Sequence, residues 1–248
     1  MRTVDTLTTF DTIEPIASEH GADVLVPIVE KDDNGNVLMH GTTLGGQLHG
    51  VLLKSSEAGK PLMQAEFSRG KLQGRMTLYD GNGLPAQVSD YREGLLQGQM
   101  RIYSYGKCIS DQQYIQGKLE GKSLTYDTAG QLTSMLHFVA GELHGVVEFY
   151  SQGDCVRRAN YKMGALEGES VDFNRHGEVV QRSNYRSNLL EGYLTRYWPG
   201  GKVMERTLYA QGSPETPTDR FNQEGSRVDR NFEKPTFLER LKHILRGD

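Results

Sequence analysis

Arg158, Arg182 and Arg206 follow one another at steps of 24 residues. A guanidinium presents a planar fork of donors that matches a carboxylate, so three at a fixed interval are candidates for a strip that docks an acidic partner surface. The competing reading makes them solvated strand-centre residues, paired within the chain to Glu148, Glu178 and Glu205. Arg157, Arg186 and Arg196 lie close by in the sequence. The other chemistry-bearing residues do not assemble. Cys108 and Cys155 occupy one slot of a repeat, two copies apart. Four strand spacings of ~4.8 Å separate them by about 19 Å, too far for a disulfide. His49 and His144 share a slot four copies apart, and His20, His40, His137, His176 and His243 show no ligand spacing. No Gly-x-Ser-x-Gly elbow is present. Gly81-Asn82-Gly83 and Pro199-Gly200-Gly201 precede no helix, so they read as hairpin turns rather than phosphate loops. No catalytic residue, cofactor site or metal site is expected.

What positions the arginines is a repeat. Its unit is aromatic-x-x-Gly-x-Leu-x-Gly, as in FSRGKLQG from Phe67, YREGLLQG from Tyr91, YIQGKLEG from Tyr114 and FVAGELHG from Phe138. It continues as YKMGALEG from Tyr161 and as YRSNLLEG from Tyr185, where Asn188 replaces the first glycine. The first-glycine positions, from 46 to 212, advance by 24, 24, 23, 24, 23, 24 and 24 residues. A further glycine marks each unit halfway, and the two shorter steps arise from one missing turn residue before Gly106 and before Gly153. A length change confined to a turn is what a hairpin tolerates best.

Each unit holds two extended segments rich in aromatic and β-branched residues and bounded by Gly, Asn and Asp, which reads as strand–turn–strand. Segments of five to eight residues with short turns pair antiparallel, since parallel crossovers need about a dozen residues or more. The expected fold is therefore all-β: an elongated, single-layer antiparallel meander of 23–24-residue hairpins spanning residues 24–232. Two aromatic ladders are expected near the strand ends: Tyr79, Tyr103, Tyr126, Tyr150, Phe173 and Tyr197 in the first strands, and Phe67 through Tyr209 in the second. The turn leucines, Leu48 to Leu190, are expected to tuck beneath them.

The phased Tyr-x-x-Gly-x-Leu-x-Gly turns, with the mid-unit Tyr-x-x-x-Gly of YDGNG, YDTAG, FNRHG and YWPGG, resemble the MORN repeats in the bacterial variant of YwqK-like antitoxins. The resemblance covers residues 24–232 and departs from the pattern at Ser55, which stands in the Tyr79 slot, and in the degenerate last copy. It implies an antitoxin or immunity protein, or an accessory that loads a toxin for secretion, bound to a partner protein such as a toxin or secreted effector. MORN-type repeats also imply, as an alternative, a scaffold associated with phospholipid membranes.

Residues 1–23 form an N-terminal extension, and residues 233–248 read as a short amphipathic helix. Pro235 and Thr236 suit its start, and Phe237, Leu238, Leu241, Ile244 and Leu245 fall on one face at helical spacing. That stripe suits a cap on the last hairpin, or a self- or partner-association helix. The net charge of −4 and pI near 6.0 speak against nucleic acid as a partner and mildly against a membrane surface. No signal peptide and no run near the roughly 18 apolar residues of a membrane span is visible, so a cytoplasmic protein is expected. Taken together, the residues predict a non-catalytic binding module whose extended sheet surface meets another protein.

Overall fold

The structure, a computed structural model, describes residues 24–228. The predicted terminal helix and its apolar stripe (Phe237, Leu238, Leu241, Ile244, Leu245) therefore lie outside the described residues, as does the extension 1–23. The described chain is all-β and falls into two compact units, divided after Gly106. In the first, β1 (Leu25–Lys31), β2 (Val37–Leu44), β3 (Gln47–Leu48), β4 (Gly50–Ser55), β5 (Pro61–Ser68), β6 (Lys71–Tyr79), β7 (Pro85–Arg92) and β8 (Leu95–Ser104) form an antiparallel meander.

The second unit repeats the plan with more copies. It contains β9 (Lys107–Ile115), β10 (Lys118–Tyr126), β11 (Leu132–Val139), β12 (Glu142–Leu143), β13 (Gly145–Ser151), β14 (Asp154–Lys162) and β15 (Ala165–Phe173). After these come β16 (Val179–Arg186), β17 (Leu189–Leu190), β18 (Gly192–Tyr197), β19 (Val203–Ala210), β20 (Ser213–Pro214), β21 (Asp219–Phe221) and β22 (Arg227–Val228). Each long strand again pairs antiparallel with its sequence neighbour.

The glycine motif has a defined mechanical meaning. Ser68 pairs with Lys71 across a two-residue turn in which Arg69 (φ 46°) and Gly70 (φ 78°) are both left-handed. That is the type I′ turn, whose twist matches a hairpin. Asn188 takes the same place with φ 70°, as its chemistry predicts. The turn is then latched to the copy before it. The N–H of Gly70 donates to the carbonyl of Leu48 at 2.7 Å, that of Gly94 to Leu72 at 2.9 Å, that of Gly141 to Leu119 at 2.8 Å and that of Asn188 to Leu166 at 3.0 Å. The residue between the leucine and the second glycine adds a side-chain acceptor. Gln73 Oε1 takes the N–H of Glu93 at 3.1 Å, and the carboxylates of Glu120, Glu167 and Glu191 take those of Ala140, Ser187 and Gln211 at 2.7, 2.8 and 3.0 Å.

The second glycine serves a bulge. Phe67 faces Leu72 while Ala65 faces Met76, so β6 fits two extra residues into that interval. Gly74 (φ 98°) absorbs them, and a Cβ there would collide with the Glu66 carboxylate. The mid-unit turns are closed differently. The Asp80 N–H donates to the Leu84 carbonyl at 2.8 Å, and Asp80 Oδ1 accepts from the N–H groups of Asn82 and Leu84 at 2.9 Å each. In a 23-residue copy, Ser151 instead faces Asp154 across Gln152 (φ 54°) and Gly153 (φ 92°), a two-residue turn that needs no capping aspartate.

Side chains alternate between two faces. The core face of the first unit carries the pair Leu52 and Ala65, 3% and 0% exposed, within an apolar cluster with Met39, Met63 and Phe67. Leu48, Leu72, Met76 and Leu78 pack against it. Each large apolar side chain buried there contributes on the order of 1.5–3 kcal/mol. The turn leucines stand directly opposite the second-strand aromatics, as Leu72 to Phe67, Leu96 to Tyr91 and Leu166 to Tyr161. The two aromatic ladders do not share a face, however. Five residues separate Tyr79 from Gly74, the cross-strand partner of Tyr91, and an odd step along a strand changes face. Pro27 stands mid-strand in β1, which pairs with β2 alone among the described residues. Its partner Thr42 gives its carbonyl to His49, on the side away from β1. Pro27 therefore turns its donor-less nitrogen to the free edge, where proline is tolerated.

Candidate binding surface

The second unit places the three arginines in one row on its outer face, the face opposite its buried Ser170 and Ser183. Glu148 faces Arg158, Arg158 faces Val171, and Val171 faces Arg182. Arg182 faces Thr195, Thr195 faces Arg206, and Arg206 faces Asp219. Consecutive arginines stand two strands apart, about 10 Å. Val171, between two of them, is only 7% exposed although it lies on this face, because long arginine stems cover apolar neighbours.

Each guanidinium already has a carboxylate. Arg158 Nε reaches Glu148 Oε1 at 2.7 Å, Arg182 Nη1 reaches Glu169 Oε1 at 2.6 Å, and Arg206 Nε lies 3.5 Å from Asp219 Oδ2. Arg206 is also stacked, its guanidinium carbon 5.4 Å from the centre of the Tyr193 ring and 5.6 Å from that of Phe221. Glu148 pairs as the sequence suggests, but two of the three expected partners are corrected. Glu178 closes its own turn, where its N–H donates to Asn174 Oδ1 at 3.0 Å and its carboxylate accepts from Asn174 Nδ2 at 2.8 Å. Glu205 is one residue from Arg206 and thus on the other face, where it bridges Arg196 at 2.8 Å and Arg220 at 3.8 Å. Of the remaining arginines, Arg157 joins Asp172 at 3.6 Å on that core face, and Arg186 lies 3.7 Å from Glu191.

Glu148 is the most enclosed of these carboxylates. Its Oε2 accepts from the Tyr150 hydroxyl at 2.7 Å while Oε1 holds Arg158. The tyrosine hydrogen bond first, and the arginine after it, hold the Glu148 carboxyl below its ordinary range against the opposing effect of burial. The same contact, with burial, pushes Tyr150 up to about 12. Beside this network the outer face has a hollow of about 300 Å³ bordered by Lys122, Met135, His137, Val146 and Glu148. Sequence reasoning missed it, although one signal was available. Counting alternation from each second glycine puts Lys122 and His137 on the same face, opposite one another.

The residues weighed for metal chemistry stay apart. Cys108 and Cys155 are free thiols, half-buried, with Sγ donating to the Ser110 carbonyl at 3.3 Å and the Arg157 carbonyl at 3.5 Å. Among the described residues no three His, Cys, Asp or Glu side chains gather in a metal-holding group. No helix among them is long and apolar enough to cross a membrane.

No family model matches the chain, and no curated protein matches its sequence. Among solved structures, S. aureus TarM bound to fondaparinux, alpha-GlcNAc-glycerol and UDP aligns with a TM-score of 0.29 at 14% identity, over 38% of this chain and 19% of TarM. A TcdB2–TccC3–Cdc42 complex aligns with a TM-score of 0.22 at 16% identity, over 79% of this chain and 13% of its own. The chain thus spans a small part of each, and likenesses this slight carry no functional argument.

Proposed function

We propose that the chain is a non-catalytic, cytoplasmic protein-binding repeat module, an antitoxin or immunity protein or a toxin-loading accessory, that meets its partner through the outer face of the second unit. The supporting observation is where exposed apolar side chains stand. Turn glycines, latch leucines and the core-face row are used up in holding the repeats. The outer face still presents Ile115, Val146 and Tyr193 at 48%, 47% and 52% exposure, Tyr193 with the Arg206 guanidinium stacked on its ring. Apolar side chains set among ion pairs are what a protein-binding surface presents to its partner. The arginine row contributes here as a mixed-charge surface that sets orientation more than affinity.

Affinity purification with the full chain as bait, repeated with Tyr193→Ala and with Arg182→Glu, tests the reading. Capture of one dominant protein that is lost on either substitution supports it. Capture that neither substitution changes removes this face from the reading. Sedimentation with anionic liposomes in the absence of any protein partner favours the phospholipid-scaffold alternative instead.

A further inference from the structure

The outer face of the second unit pairs every arginine of its central row with a carboxylate. Arg158, Arg182 and Arg206 each hold a carboxylate of the same chain within 4 Å. Lys122, like Lys118 and Lys162 nearer the turns, is exposed and makes no ion pair with any described residue, and of these three it is the one that borders the hollow. Its directly opposed residue on the neighbouring strand is His137, a second basic group. The equivalent cross-strand slot in other copies never pairs two bases. It holds Val51 with Glu66, Arg75 with Asp90, Val146 with Asn160, Glu169 with Asn184 and Tyr193 with Leu208. In the Arg75 copy the two side chains form an ion pair at 3.2 Å. A lysine ammonium and an imidazole ring N–H that face each other can both donate to one anion placed between them.

That basic pair borders the hollow described above, whose other walls are Met135, Val146 and the Glu148 network. Glu148 also borders the hollow, but its charge is engaged by Arg158 and its other oxygen accepts from Tyr150. We propose that the Lys122–His137 hollow is a recognition site for a carboxylate side chain on an extended acidic segment of a protein partner, with Met135 and Val146 receiving the aliphatic residues beside it. The arginine row is then the orienting surround and this hollow the anchor. The proposal rests on the protein-binding reading for its biological meaning, but its chemistry can be measured without the natural partner.

The probe is the peptide acetyl-Val-Glu-Val-amide, titrated into the isotope-labelled full chain, with acetyl-Val-Gln-Val-amide as the uncharged counterpart. Saturable amide shifts centred on Lys122, His137 and Val146 are expected for the glutamate peptide, with the glutamine peptide weaker by about tenfold. Lys122→Glu should abolish the response and Arg182→Glu should leave it in place; Lys122 is exposed, so an unchanged dispersed spectrum shows that the variant has folded. Equal response to both peptides, or shifts centred on the arginine row, overturns the proposal. In the bait experiment, a partner retained by Lys122→Glu but lost by Tyr193→Ala overturns this inference and leaves the protein-binding reading standing. Absence of any partner, with the peptide response intact, does the reverse.

Discussion

The two units wind the same hairpin and fill its core face with different material. In the first, the row on the mid-turn side of the buried centre runs through Met39, Lys54, Met63, Leu78 and Gln87. In the second, the corresponding row runs through Phe149, Arg157, Asp172, Gln181, Arg196, Glu205 and Arg220. These side chains bridge from strand to strand: Arg157 to Asp172, Gln181 Nε2 to Asp172 at 3.3 Å, Arg196 Nε to Gln181 Oε1 at 3.0 Å, and Arg196 and Arg220 to Glu205. The buried centre differs as well. Leu52 and Ala65 hold it in the first unit, with a single buried serine, Ser89, further along the row, whereas Ser123, Ser170 and Ser183, all at most 3% exposed, share it with Val147 and Ala159 in the second. What both units keep is the latch from each turn to the carbonyl of the preceding leucine. The latch and the aromatic–leucine pairs therefore define the repeat, and the central rows tolerate either apolar or polar content because each copy packs only against its neighbours.

The largest effect that sharpens this contrast is Leu52→Ala. It deletes the best-buried large side chain of the apolar cluster and should cost about 2–4 kcal/mol. Native-state hydrogen exchange should show the loss across β2 to β6, with the amides of β14 to β19 less affected; equal loss in both would break the distinction between the units. Next come two serines with opposite expected signs. Ser89 Oγ accepts from Gln87 Nε2 at 2.8 Å, so Ser89→Ala should destabilise by about 1 kcal/mol. Ser170 Oγ is buried without a partner, so Ser170→Ala should stabilise by about 0.5–1 kcal/mol in denaturant titrations.

A smaller effect is expected from Arg196→Ala, which removes the bridges to Glu205 and Gln181. These groups are half-exposed, so the cost should be at most about 1 kcal/mol and should shrink in high salt. Leu78→Ala, on the equivalent row of the first unit, should show no such salt dependence. The smallest is a titration. Because the folded Glu148 carboxyl is held below its unfolded value, its contribution is present above the ordinary glutamate range and is lost as pH falls through the depressed folded value. Tyr150, raised to about 12, contributes in full below about 10 and loses that contribution as pH climbs toward 12. Glu148→Gln should remove the acid-side part, and carboxyl-carbon chemical shifts in the intact chain would read the titration directly.

Much of the fold was legible because its causes are local. A left-handed turn needs Gly or Asn, so the 24-residue spacing of Gly70, Gly94 and their successors located the hairpins, and the chemistry of Asn188 alone assigned it to the same turn position. The bulge at Gly74 was not legible, since its left-handed φ of 98° follows from the two extra residues that β6 fits against the neighbouring strand. Nor was the role of the residue in Leu-x-Gly: Gln73, Glu120, Glu167 and Glu191 look like solvent-facing variety until their acceptors are seen against the next turn. The candidate site was legible only as a row. The arginine spacing predicted one face, but of the expected partners Glu148, Glu178 and Glu205 only the first is found there, since the strand geometry gives Arg182 Glu169 and Arg206 Asp219.

By itself the amino-acid sequence determined the hairpin period, the positions and kinds of the turns, and the pairing of turn leucines with aromatics. Each of these depends on residues within one unit and on the two-residue alternation of a strand. Tertiary structure alone decided which charges meet, that the meander divides into an apolar and a polar unit, and that Lys122 and His137 border a hollow without an acid between them. Those outcomes depend on register across bulged strands, where one extra residue moves a side chain to a new neighbour, and no single strand carries that information.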